Sequence, residues 1–140
     1  MRVIVFVKAT AESETGAMPS TELLEAMTTY NDALVAAGII QGGEGLHPSS
    51  NGKRIAFDGP GRAVIDGPFS NVSELVAGFW LWKVKDMDEA VAWAKRCPNP
   101  MSGPSELEIR RIYEAEDFGE ALTPDIAARE ERMREKVEGR

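Results

Sequence analysis

The chain has 140 residues, a formal net charge of −7 and a 43% hydrophobic, 28% charged composition, which suits one packed domain that folds without covalent staples. The acidic balance argues against nucleic acid or an anionic membrane as partner, because both need concentrated positive charge. The single cysteine, Cys97, excludes an intrachain disulfide and accords with a reducing, cytoplasmic setting.

Residues 2–8 predict a strand. Val3, Val5 and Val7 share one face and Ile4 and Phe6 the other, so both faces are apolar, the pattern of a strand covered on two sides. The run is too short to span a bilayer or to serve as a signal-peptide core, so no membrane partner is expected. Residues 9–19 read as a loop. Ser20 can cap a helix over about Thr21 to Ala37, with Leu23, Met27, Tyr30 and Leu34 on one face and Gly38 as its stop. Residues 41–52 hold Gly42, Gly43, Gly45 and Gly52 and read as a loop carrying His47. Lys53–Asp58 and Arg62–Asp66 flank Gly59-Pro60-Gly61 and read as a hairpin.

Val76–Lys85 predicts the longest strand. Val76, Trp80, Trp82 and Val84 lie on one face, with Ala77, Phe79 and Leu81 on the other. Asp86 and Glu89 have the spacing of a capping box for a helix that ends near Arg96, ahead of Pro98. A Pro/Gly loop follows, and Glu106–Tyr113 predicts the last strand. In the tail, Thr123-Pro124-Asp125 starts a charged helix with a thin stripe of Ile126, Met133 and Val137.

This order predicts an α+β fold, a ferredoxin-like βαββαβ sandwich with an extra hairpin over residues 1–113, plus a helical extension over 114–140. The first and the long third strands are expected at the centre, with helices over one face only. The open face would then carry large apolar side chains, including one or both of Trp80 and Trp82. A second copy is the economical cover, so a homodimer, sheet against sheet, is expected.

Several segments carry a family resemblance. They include Met18-Pro19-Ser20, Tyr30-Asn31, Gly43-Glu44-Gly45-Leu46, Asp66-Gly67-Pro68-Phe69 and Gly78-Phe79-Trp80. Trp93-Ala94-Lys95-Arg96-Cys97-Pro98 and Glu114-Ala115-Glu116-Asp117-Phe118-Gly119 continue the set. In order and register, these resemble the YCII-related proteins, specifically the branch named for its DGPF motif. The resemblance implies a dimeric α/β barrel. It also implies a stress or regulatory context, because members of that branch are often encoded beside extracytoplasmic-function sigma factors. Some relatives in the wider superfamily act on small aromatic or chlorinated molecules, with a His–Asp pair proposed as the acid/base site. The family motif commonly continues Glu-x-Lys-Glu after DGPF-x. Here those positions are Asn71, Val72, Ser73 and Glu74, so the first carboxylate and the lysine are missing.

Three residues are candidates for proton chemistry on a small organic molecule. Asp66 ends a strand before Gly-Pro, where a carboxylate either works in a cleft or caps the turn. His47 is the only histidine, the residue type most suited to acid/base work; it forms a dyad if it meets Asp66, and otherwise is an exposed loop residue. Glu74 is a second pocket carboxylate or a cap. Arg62, Tyr30 and Phe69 are candidate substrate contacts, against solvated or core roles for each. No metal-ligand cluster, nucleotide motif or nucleophile elbow is present, so no metal or cofactor is expected. Three readings stay open: an acid/base enzyme, a dimeric ligand-binding or regulatory module, and a structural interaction protein.

Overall fold

Side chains start and stop the helices where the sequence placed the signals. In the computed structural model, which describes residues 1–139, Ser20 Oγ accepts from the Leu23 N–H at 3.1 Å and opens α1 (Thr21–Ala36), and Gly38 takes φ 72° after it. Asp86 Oδ1 accepts from the Glu89 N–H at 2.9 Å at the start of α2 (Met87–Lys95). Thr123 caps α3 (Pro124–Glu138), with proline at its first position. No described helix is long and apolar enough to cross a membrane.

Six strands complete the order: β1 (Arg2–Lys8), β2 (Ile40–Gly45), β3 (Lys53–Asp58), β4 (Gly61–Asp66), β5 (Val76–Lys83) and β6 (Leu107–Arg111). Four of them form an antiparallel sheet in the order β2-β5-β1-β6, so β1 and β5 are central, as expected. With α1 and α2 this is the connectivity of a ferredoxin-like sandwich. β3 and β4 form a separate two-stranded sheet.

The second strand of the main sheet corrects the sequence reading, which took residues 41–52 as loop. Glycine is a poor strand former, and three glycines hid the pattern. They are tolerated because β2 runs close along β5. A Cβ at Gly43 would lie 2.9 Å from both Phe79 O and Trp80 Cδ1. The register also shifts between Ile40 and Gly42, which breaks the two-residue alternation.

The placement of the tryptophans is a second correction. Val3 stands opposite Trp82 and Val5 opposite Trp80, and all four are buried beneath α1 and α2 with Tyr30, Leu34, Ile39, Val84 and Ala90. Trp80 meets Tyr30 edge to face at 5.9 Å and lies 5.9 Å from Trp82. Truncating a tryptophan in such a core costs about 3–5 kcal/mol. The open face carries the smaller apolar set instead: Ile4 opposite Leu81, and Phe6 opposite Phe79, all partly exposed.

The β3–β4 hairpin stands off the body, with every residue exposed. Ile55, Val64 and Phe57, the last 71% exposed, share one of its faces. A two-stranded hairpin is marginal alone in water, so its anchorage matters. The stripe of α3 is likewise uncovered: Ile126, Met133 and Val137 are all exposed.

Among the described residues one ion pair ties the tail to the sheet. Arg2 Nε and Nη2 donate to the two carboxylate oxygens of Glu114 at 2.8 and 3.2 Å. The hydrogen bond from Arg2 holds the Glu114 carboxyl below the usual carboxylate range. Its contribution to stability is therefore present above the ordinary carboxylate pKa and is lost as pH falls through the lower folded value. Glu114→Gln should cost about 0.5–1 kcal/mol at pH 7, because the pair is partly solvated. Chemical denaturation at pH 7 and pH 3 checks this. The wild-type advantage should shrink at the lower pH, and a constant difference would contradict the ion-pair account.

Candidate functional site

Among the described residues no hydrogen bond or ion pair joins Asp66, His47 and Glu74 to one another. Asp66 lies at the base of the hairpin, where Lys53 Nζ donates to its Oδ1 at 2.5 Å across the β3–β4 ladder. His47 is exposed, and its Nδ1 sits 3.0 Å from Asn51 Nδ2. An amide nitrogen can only donate there, so Nδ1 accepts and a neutral His47 carries its proton on Nε2. Glu74 faces Arg54 at 3.5 Å. Each of the three is thus engaged with a neighbour other than the remaining two.

The expected substrate contacts also have local partners. Arg62 lies at the hairpin tip, donates to Gly59 O and Gly61 O, and stacks over Phe57 at 4.6 Å. Tyr30 is core: its hydroxyl donates to Trp93 O at 2.6 Å, and burial pushes its pKa up out of the usual phenol range. Phe69 is half-buried beneath the Arg54 guanidinium at 3.9 Å. Cys97 is half-buried at the end of α2, and burial pushes its thiol up to about 11, so it is not a ready nucleophile at neutral pH. Among the described residues no three His, Cys, Asp or Glu side chains cluster to hold a metal ion.

The motif Asp66-Gly67-Pro68-Phe69 works as a clasp. The Gly67–Pro68 peptide is cis. The Gly67 N–H donates to Gly52 O at 3.0 Å. The Phe69 N–H donates to Ser49 Oγ at 3.0 Å, while the Ser49 N–H and hydroxyl both donate to the Glu14 carboxylate. Three loops are joined through one serine. Gly67 has no room for a side chain, since a Cβ would fall 1.7 Å from Ser49 O.

A groove of about 320 Å³ opens elsewhere, between α1 and the β2–β5 edge of the sheet. That is within the lower range of small-molecule sites. Its walls are Met27 and Asn31 of α1, Val7 and Trp80, with Glu44 also lining it. Its floor is backbone: Gly43, Gly45 and Gly78, with Gly45 paired to Gly78. Close backbone explains Gly43 and Gly78, where a Cβ would lie 2.9 Å from a carbonyl oxygen. Packing does not explain Gly45, where a Cβ would meet nothing within 4 Å. A wider groove of about 520 Å³ lies between residues 12–23 and 99–102, walled mostly by surface loops with Leu23 at the start of α1.

Sequence reasoning missed this groove. A signal was present: Asn31, Gly43-Glu44-Gly45 and Gly78-Phe79-Trp80, all within the family-like segments, border it. Asn31, Gly45 and Trp80 each have an ordinary structural reading, and only the fold brings them together.

The clasp makes a sharp contrast between neighbours in one motif. Gly67→Ala should destabilise by about 3 kcal/mol or more, because a methyl group meets backbone that cannot yield. Asp66→Asn should change stability by less than about 1 kcal/mol, because its partner is an exposed lysine. Thermal and urea melts of both variants check this; similar losses would mean that the carboxylate, and not the glycine, holds the turn.

No curated protein sequence matches the chain. Among solved structures it is similar to 5-chloro-2-hydroxyhydroquinone dehydrochlorinase (TftG) from Burkholderia phenoliruptrix AC1100, in complex with 2,5-dihydroxybenzoquinone. The identity is 15% and the TM-score 0.46, over 84% of this chain and 98% of that one. The YCII-related domain matches residues 1–116, from the first strand through the clasp and the groove to the start of the tail. The chain belongs to the YCII-related domain family.

Proposed function

We propose that this protein is a homodimeric binding module for a small organic molecule, held in the groove between α1 and the β2–β5 edge. The observation that carries this reading is Gly45. It lines the groove, no packing neighbour demands a glycine there, and the missing side chain leaves the space open. An acid/base enzyme built on Asp66, His47 and Glu74 has less support, because each is engaged by another residue and none of the three lines the groove. A regulatory use of the bound molecule is the second reading, drawn from the stress or regulatory context that the resemblance to the DGPF branch implies.

The dimer is proposed through the open sheet face. Ile4, Phe6, Phe79 and Leu81 form its apolar middle, with Arg110 beside Ile4 and Glu108 beside Phe6. Two-fold association brings a patch against itself, so it needs both charge signs around an apolar centre, and this face has them.

Three tryptophans give a direct test of the groove. Aromatic fragments titrated into ¹⁵N-labelled protein should move the Trp80 indole resonance and leave that of Trp93 on α2 in place. Gly45→Val should keep the fold and abolish the shift, because it fills the groove without a clash. Shifts that persist in Gly45→Val would refute the site. Light scattering tests the dimer: wild type should run at twice the chain mass, and Phe6→Glu, with its circular dichroism unchanged, should run as a monomer. A monomeric wild type would remove the dimer.

A further inference from the structure

We infer that the groove selects a flat, uncharged carbonyl compound, read by the side-chain amide of Asn31; this rests on the groove being the binding site. The orientation of that amide is settled by its neighbour. An indole N–H can only donate. Trp80 Nε1 donates to Asn31 Oδ1 at 3.0 Å, so the oxygen must face the tryptophan. A flipped amide would set two donors against each other. The NH₂ end therefore points away from the tryptophan, with its hydrogens available to another acceptor. Asn31 also lines the groove, one helical turn from Met27. The site thus presents donors and calls for a ligand acceptor.

The rest of the lining narrows the ligand. Gly43, Gly45 and Gly78 present bare backbone, which admits a flat molecule close to the sheet. Val7, Met27 and Trp80 supply apolar contact. No lysine or arginine lines the groove among the described residues, and the Glu44 side chain, paired with Phe79, belongs to the opposite face of the sheet. A carboxylate ligand would find no counter-charge there. A neutral carbonyl oxygen meets the Asn31 donors without that penalty. A ligand of the same shape without the oxygen would bury those donors unpaired, and such sites reject the analogue strongly.

The test uses the full chain and three probes of one shape: acetophenone, isopropenylbenzene, which replaces C=O by C=CH₂, and benzoate. Each is compared at equal concentration through the Trp80 indole resonance. Acetophenone should bind at least about tenfold more tightly than isopropenylbenzene, and benzoate more weakly than acetophenone. Asn31→Asp keeps an oxygen for Trp80 but presents an acceptor to the ligand, so it should lose acetophenone. Asn31→Leu should remove the preference while retaining isopropenylbenzene. Equal binding of acetophenone and isopropenylbenzene by wild type would overturn the carbonyl inference and leave the groove standing. Tighter benzoate would overturn neutrality. No movement of Trp80 with any probe would overturn both this inference and the binding site beneath it.

Discussion

Two indoles, two positions apart on β5, decide which side of the sheet becomes the core. Trp80 and Trp82 necessarily share a face, and the register sets Val5 and Val3 against them on β1. Once that pair of residues faces α1 and α2, Tyr30 and Leu34 have a surface to pack on, and Ile39, Val84 and Ala90 close the edges. The opposite face is left with Ile4, Phe6, Phe79 and Leu81, too apolar for comfort in water and too small to anchor a core alone. The groove follows from the same choice. Trp80 is core at its ring and polar at its nitrogen, and it holds Asn31 in place beside the glycine floor.

Glycine does two different jobs in this chain. At Gly67 and Gly43 it is a demand of geometry, because backbone of a neighbouring segment occupies the space where a side chain would begin. At Gly45 there is no such demand, and the absent side chain leaves volume. The distinction separates the motif that is most visible in the sequence from the groove between α1 and β2–β5. The Asp66–Phe69 segment ties the hairpin base to the Ser49 turn and to Glu14. Its chemistry is spent on holding loops together. The hairpin needs such an anchor, since its own ladder is exposed on both sides.

Much of the fold was legible in the order of residues. The helix caps at Ser20, Asp86 and Thr123 act locally, through hydrogen bonds within a few residues, and all three are where the sequence put them. The apolar runs of β1 and β5 announced central strands, and their positions in the sheet agree. The site was much less legible. Asp66, His47 and Glu74 are the residue types that do proton chemistry, but type says nothing of distance. Lys53, Asn51 and Arg54 reach them first. Asn31 is unremarkable on a helix until Trp80 is seen to fix its oxygen.

By itself the sequence determined the local and periodic features: the helix ends, the hairpin at Gly59-Pro60-Gly61, the two apolar strands and the family to which the chain belongs. These depend on neighbours a few residues away or on a repeat of two or 3.6, and both can be read along a line. Only the tertiary structure decided which face of β5 is buried, that residues 40–45 are a strand, and that the motif aspartate pairs with a lysine. Two apolar faces look alike until helices cover one of them. A glycine strand shows its pattern only through the partner it lies against, and a groove floored by backbone has almost no side chains with which to announce itself.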